Sequence, residues 1–329
     1  MQEARFWKKT DKCIICMLCP HNCLITEGDV GLCSVRKNID NKLFSLVYGK
    51  PIAVHVDPIE KKPLFHFMPA SLSLSVGTVG CNLFCLHCQN WDIARGTPDS
   101  QPALDLTPEA VVNIAIEKGC ESISYTYNEP TIFHEYAVDC AKLAKKKGIK
   151  NILVTNGFIN EEPAKEFAKY MDAANVDLKS FRDGFYKEVC RGKLDPVLET
   201  LKIYHKKLWL EVTNLIIDKK NDSMKDIENM CKWIAKNLSK DVPLHFSRAF
   251  PMYKMLDMLP TPADTLLKAK KIAQKYLDFV YIGNIELPES SNTYCPKCGK
   301  LIISRNRYDT KLYMKGNKCE CGNEIPGIF

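Results

Sequence analysis

The stretch GCNLFCLHCQN, Gly80 to Asn90, sets Cys81, Cys85 and Cys88 at spacing C-x3-C-x2-C. Zinc held by the protein alone closes its tetrahedron with four ligands, and an iron–sulfur cube usually takes four thiolates. Three thiolates leave one metal position without a protein ligand. An open position is where a catalytic metal takes its substrate or cofactor. His87 lies inside the loop, but its place between Cys85 and Cys88 strains a fourth bond to the same metal. A three-cysteine, one-histidine zinc is therefore the weaker reading.

Two further cysteine groups flank this one. Cys13, Cys16, Cys19 and Cys23 run C-x2-C-x2-C-x3-C, with Cys33 beyond them. That spacing matches a bacterial ferredoxin run, although the proline follows the third cysteine. In such runs the fourth cysteine can serve another cluster, so spacing alone does not close the set. An auxiliary cluster passing electrons, a zinc site and a substrate-binding cluster all stay open. At the other end, Cys295-x2-Cys298 and Cys319-x-Cys321 each precede a glycine. Two such knuckles joined by a hairpin give four thiolates and no open position, as in structural zinc, with mononuclear iron as the alternative.

Twelve of the sixteen cysteines fall in these groups, which favours metal sites over disulfides. The N-terminus shows no signal-peptide pattern, so a disulfide framework is not expected and a reducing cytoplasm is. The solitary Cys120, Cys140, Cys190 and Cys231 read as small buried hydrophobes.

The elements that must position these residues alternate in type. From Leu72 onward, runs such as SLSLSVGTV, SISYTY, NILVTN and ANVDLKS alternate with helical runs such as TPEAVVNIAIEKG and EEPAKEFAKYM. Strands alternating with helices imply βαβ units and a parallel sheet. Six units fit between about 72 and 284, too few for a closed eight-fold barrel. The expected fold class is α/β: a partial (β/α)6 barrel, with an open doubly wound sheet as the alternative. Function then belongs at the C-terminal ends of the strands. Cys81, Asn128, Glu129, Asn156, Asp177, Lys179, Asn214 and His245 are all placed there. Thr107-Pro108 and Thr261-Pro262 read as helix starts, and Gly119 and Gly148 as helix stops. The expected organisation is a cysteine-rich metal-binding segment at 1–40, an extended linker packing on the core at 41–70, the barrel at 71–287, and a zinc-ribbon or rubredoxin-like domain at 288–329.

Net charge is +7, and Lys145–Lys147 sits where a helix ends, complementing its dipole. A nucleic-acid footprint needs a clustered basic surface, which disfavours that class of partner. No apolar run approaches the roughly 20 residues that span a bilayer.

C-x3-C-x2-C after the first strand of a βα barrel resembles the radical S-adenosylmethionine (SAM) superfamily. The resemblance implies a [4Fe-4S] cluster whose open iron binds SAM, reductive cleavage to a 5′-deoxyadenosyl radical, and hydrogen abstraction from a substrate. Cys81, Cys85 and Cys88 would be the cluster ligands and the catalytic set. SYTYNEP (124–130) takes the place of the family's Gly-Gly-Glu motif, with Tyr127 and Asn128 for the glycines and Glu129 kept. LVTNGF (153–158) and VDLKSF (176–181) resemble pyruvate formate-lyase activating enzymes. They nominate Asn156, Asp177 and Lys179 for the ribose and carboxylate of SAM. PLHFSRAFP (243–251) nominates His245 near the adenosine. Over nearly the whole chain the sequence is similar to the radical SAM proteins of the AmmeMemoRadiSam system, through CMLCPHNCLITEGDVGLCSVR (16–36), VHVDPIEKKPLFHFMP (54–69) and WLEVTNLIIDKKND (209–222). That likeness favours Cys16, Cys19, Cys23 and Cys33 as a second metal set and leaves Cys13 spare. That likeness fixes no reaction; the radical SAM and activating-enzyme resemblance implies an electron donor of the ferredoxin or flavodoxin type and a protein or peptide substrate. An RNA-modifying enzyme and a non-catalytic metal-dependent binding module are the alternative functions.

Overall fold

The computed structural model describes residues 1–329. Its centre is an eight-stranded open sheet, strands β1 (Ala53–Pro58), β2 (Leu72–Gly77), β3 (Ser122–Tyr125), β4 (Lys150–Thr155), β5 (Ala173–Asp177), β6 (Trp209–Ile216), β7 (Leu244–Arg248) and β8 (Val280–Gly283). β1 pairs antiparallel with β2, and β2 to β8 pair in parallel. Strand order follows chain order throughout. A doubly wound sheet reverses direction at a switch point; this one does not, and it is a partial barrel. Six helices make the crossovers: α1 (Pro108–Glu117), α2 (His134–Lys146), α3 (Glu161–Tyr170), α4 (Leu194–His205), α5 (Met224–Asn237) and α6 (Ala263–Ala273).

Alternation along the strands decides which face meets the helices. Leu74, Val76, Ile123, Tyr125, Leu153, Val176, Val212, Leu244 and Phe246 join the main apolar core. The opposite, inner face is markedly polar. Ser73 meets Ser124 at 2.6 Å, Ser75 donates to Asp57, and Asn175 donates to the Pro63 carbonyl. Residues 59–68 cross this inner face. Ile59, Leu64 and Phe67 bury against Ile152 and Ala173, while Glu211 accepts from the amides of Phe65 and His66. Part of the stretch expected as a linker thus supplies an edge strand, and part fills the barrel.

Local signals account for the helix ends unevenly. Thr107 caps α1 by accepting from Ala110 N at 3.2 Å, and Gly119 and Gly148 take positive φ beyond α1 and α2. Thr261 does not cap α6: its hydroxyl donates to the Ile216 carbonyl, and Pro262 holds the cap position.

Two small lobes attach to the barrel. The N-terminal lobe holds two three-stranded antiparallel sheets around Ala4, Ile14, Leu18, Ile25 and Leu43. The buried Arg36 ties it down, donating to Glu135 of α2 at 2.9 and 3.0 Å. The C-terminal lobe is a three-stranded sheet of β9 (Thr293–Tyr294), β10 (Leu301–Asn306) and β11 (Asp309–Leu312). Ile302, Ile303 and Ile325 pack on Phe279 and Tyr281 of the barrel. Arg305, 6% exposed, donates to the Phe65 carbonyl at 2.6 Å and lies over the Phe65 ring. No helix is long and apolar enough to cross a membrane.

Candidate active site and metal centres

The loop after β2 carries Cys81, Cys85 and Cys88, all partly exposed. Gly80 opens it at φ +90°, and a Cβ there would meet the Cys33 carbonyl oxygen at 2.6 Å. Glycine is the residue that fits both the left-handed turn and the close approach. Carbonyls of the loop are gathered by Arg95, which donates to Leu83 O at 2.5 Å and Cys81 O at 3.3 Å. Its guanidinium also stacks 4.2 Å from the Phe84 ring.

Residues at the ends of the next three strands close around this loop. Asn156 donates to Asn82 Oδ1 at 2.9 Å, and the same nitrogen lies 3.9 Å from the Cys81 sulfur. Glu129 is fully buried and accepts from Thr131 N, Thr131 Oγ1, Thr155 Oγ1 and Asn156 N. Burial outweighs those bonds and raises its carboxyl above the usual range. Lys179 donates to Asp177 at 2.8 Å. Burial opposes its charge, but Asp177 and the nearby thiols of Cys85 and Cys190 more than offset that, so it titrates well above an ordinary lysine. His87 is buried, and its Nδ1 has no partner. Burial and then Lys179 push it down to about 3, so it is neutral.

The Asn128 side chain bonds the backbone and hydroxyl before the cysteine loop. It accepts from Thr78 N at 3.2 Å and donates to Thr78 Oγ1 at 3.1 Å and Gly80 O at 2.8 Å. Its side chain is spent on holding the entry to the cysteine loop. His245 and Asn214 lie within β7 and β6, not beyond their ends. His245 pairs with Glu211 at 2.6 Å between Phe65 and Tyr281, and Asn214 donates to the Leu178 carbonyl. A strand reading ends on polar residues, and here the inner face is polar along its length, which misplaced both.

Tyr127 explains the departure from Gly-Gly-Glu. It sits at φ +70°, the region glycine favours. Its hydroxyl donates to Asp57 at 2.8 Å, and Lys62 lies 5.0 Å above its ring. The glycine-like backbone is kept, and the inner-face contacts offset its strain.

Cys190 is buried as expected, yet its sulfur lies beside that of Cys85, and this contact is the leading cause raising the Cys85 thiol. Its carbonyl accepts from Phe84 N at 2.8 Å, pinning the loop. No sequence spacing signals that pairing, nor the roles of Arg95 and Asp57.

The C-terminal quartet has single-ion geometry. Cys295 and Cys321 sulfurs lie 3.7 Å apart, as do those of Cys298 and Cys319, and all four are mutually within 4.8 Å. Metal–sulfur bonds of about 2.3 Å in a tetrahedron require edges of about 3.8 Å. The group can hold one zinc or iron. Cys298→Ala should release that ion and lower the melting temperature by several degrees, since the lobe's apolar cluster is small. Calorimetry with metal analysis checks this, and an unchanged transition in a metal-free variant would remove the structural role. No three sulfurs of Cys81, Cys85 and Cys88 or their neighbours meet the same condition. A wider spread suits a cube, whose irons stand at separate corners.

Residues 75–234 match the radical SAM superfamily. "Uncharacterized protein MJ0808" of Methanocaldococcus jannaschii is 44% identical over 99% of both chains. "Putative glycyl-radical enzyme activating enzyme MJ1227" of the same organism is 27% identical, over 66% of this chain and 91% of that one. Among solved structures, Streptococcus suis SuiB, crystallised with precursor peptide SuiA, superposes with a TM-score of 0.50 at 15% identity, over 69% of this chain and 52% of that one, a likeness of fold. Residues 75–234 are a radical SAM domain, and that family implies a [4Fe-4S] cluster and SAM.

Proposed function

We propose that the protein cleaves SAM reductively and abstracts hydrogen from a residue of a protein or peptide, in the manner of glycyl-radical activases or peptide modifiers. The observation that carries this is the convergence of Cys81, Asn156, Glu129 and Lys179 on a loop that offers three thiolates and no fourth ligand of its own. The bound cluster and SAM supply the electron transfer and the radical; the protein supplies orientation and exclusion of water. Lys179 presents a point charge suited to the carboxylate of SAM, and Asp177 orients that ammonium. Asn156 and the backbone at Tyr127–Glu129 offer polar groups at the same strand ends. Asn128 and His245 complete the proposed contacts, Asn128 through its backbone, since its side chain bonds Thr78 and Gly80, and His245 through the ring edge not bonded to Glu211.

The relative described as an activating enzyme supports a protein or peptide substrate, since an activase acts on an enzyme residue. The sequence likeness to the AmmeMemoRadiSam proteins supports that branch, and the radical SAM match supports a one-electron donor of the ferredoxin or flavodoxin type. The C-terminal knuckles serve as a zinc-type staple. Anaerobic protein loaded with iron and sulfide, given dithionite and SAM, should release 5′-deoxyadenosine; none from a fully loaded protein would overturn the reading. Lys179→Met should weaken SAM binding by about tenfold at unchanged iron content. Equal affinity by calorimetric titration would take Lys179 out of the site.

A further inference from the structure

The N-terminal quartet fails the geometric condition that the C-terminal one meets. Cys16, Cys19, Cys23 and Cys33 line one shared cavity, yet no three of their sulfurs are mutually within 4.8 Å. A lone tetrahedral ion needs edges of about 3.8 Å. In this respect the quartet matches the Cys81, Cys85 and Cys88 set of the same molecule, not Cys295 to Cys321. Cys13 stays outside the cavity, its sulfur 3.3 Å from Thr10 Oγ1. Arg36 lines the cavity and is 1% exposed, and its Nε–H has no hydrogen-bond partner. A buried donor without a partner costs stability unless something accepts from it. A sulfur of a bound cluster is such an acceptor.

The cavity also adjoins the loop after β2. Asn82 lines it and is bonded directly to Cys81. His21 bonds Asn82 O at 2.7 Å, and Asn82 Oδ1 accepts from Asn156. The Cys33 carbonyl presses on Gly80. On the outer side, Leu32 is 54% exposed, so the cavity lies one side chain from solvent.

We propose that Cys16, Cys19, Cys23 and Cys33 hold a second iron–sulfur cube, closed by four thiolates, that relays one electron into the cluster held by Cys81, Cys85 and Cys88. Four thiolates leave no open iron, so the site passes electrons and does not bind substrate. A low-potential one-electron carrier protein is oxidised by one electron, the N-terminal cube takes that electron and returns to its starting state on passing it inward, and no bond or proton changes at this site. The relay rests on the radical SAM reading; the cube does not.

The test starts with the triple variant C81A/C85A/C88A, which leaves the quartet intact. After anaerobic reconstitution it should retain about four irons and four sulfides with a cube's Mössbauer signature. Iron absent and one additional zinc at the quartet would overturn the cube. Cys19→Ala then tests the relay, with Cys16→Ser as the second variant where Cys19→Ala fails to fold. With flavodoxin and its reductase, 5′-deoxyadenosine formation should fall by about tenfold or more, and with dithionite by less than about twofold. Equal loss with both reductants overturns the relay. No product from wild-type protein with either reductant would sink the enzyme reading, while the triple variant's metal count still decides the cube.

Discussion

Replacing Cys81 with alanine should cut 5′-deoxyadenosine formation by about a thousandfold or more, the effect of removing a ligand without which the cluster is not held. Cys81 is the better first target than Cys85. Cys190 lies beside Cys85 and offers a replacement thiol, whereas Cys81 faces Asn156 and Asn82. The expected result is loss of cluster absorbance with little change in folding, because the loop's shape is held independently by Asn128, Arg95 and the Cys190 carbonyl. If Cys85→Ala keeps a cluster, adding Cys190→Ala should remove it. Retained turnover in Cys81→Ala would overturn the ligand assignment.

The second large effect is structural. Arg36 and Glu135 are both almost wholly buried and meet through two bonds, and Glu135 also accepts from Arg5 N at 2.7 Å. Arg36→Met strands a carboxylate, and the expected cost is about 3–5 kcal/mol. The double variant R36M/E135L should recover most of it, because no buried charge is left unpaired and only the Arg5 amide and carbonyl lose their partners. Denaturant melts of the two single variants and the double check this; additive losses would mean the pair acts through something else. The same pair sets a pH dependence. Burial alone would raise Glu135, but Arg36 outweighs it and holds it down at about 2 in the folded protein. An unfolded glutamate titrates near about 4.3. The depressed value means this stability is fully present above the unfolded value and is lost as pH falls toward 2. Melts between pH 6 and 3 in wild type should therefore lose stability that the double variant keeps.

The barrel was legible because its signals are local and repeated. Apolar runs of strand length alternate with helix-length runs, and Thr107 and the glycines at 119 and 148 punctuate them. The reach of the six-unit count extended to the strand order, since consecutive right-handed crossovers add strands on one side. The C-terminal cysteine quartet was legible by spacing. What escaped depends on side chains far apart in sequence. Asn128 and His245 were placed by motif, but only the fold shows Asn128 spent on Gly80 and His245 bound to Glu211. Thr261 carries a capping signature, and a carbonyl of β6 outcompeted the helix amides for its hydroxyl. Cys190 and Arg95 had no spacing to mark them, because their partners are loop backbone and a thiol on another element. Single-ion and cube geometries likewise differ by distances that spacing along the chain does not carry.

The central claim is an iron left open for SAM by a three-thiolate loop. Electron–nuclear double resonance on the reduced protein with SAM labelled at its amino nitrogen and carboxylate carbon tests it without needing the substrate. The account predicts hyperfine coupling from both labels to the cluster, lost in Lys179→Met for the carboxylate carbon before the nitrogen. A loaded, reduced cluster that shows no coupling to either label would contradict it.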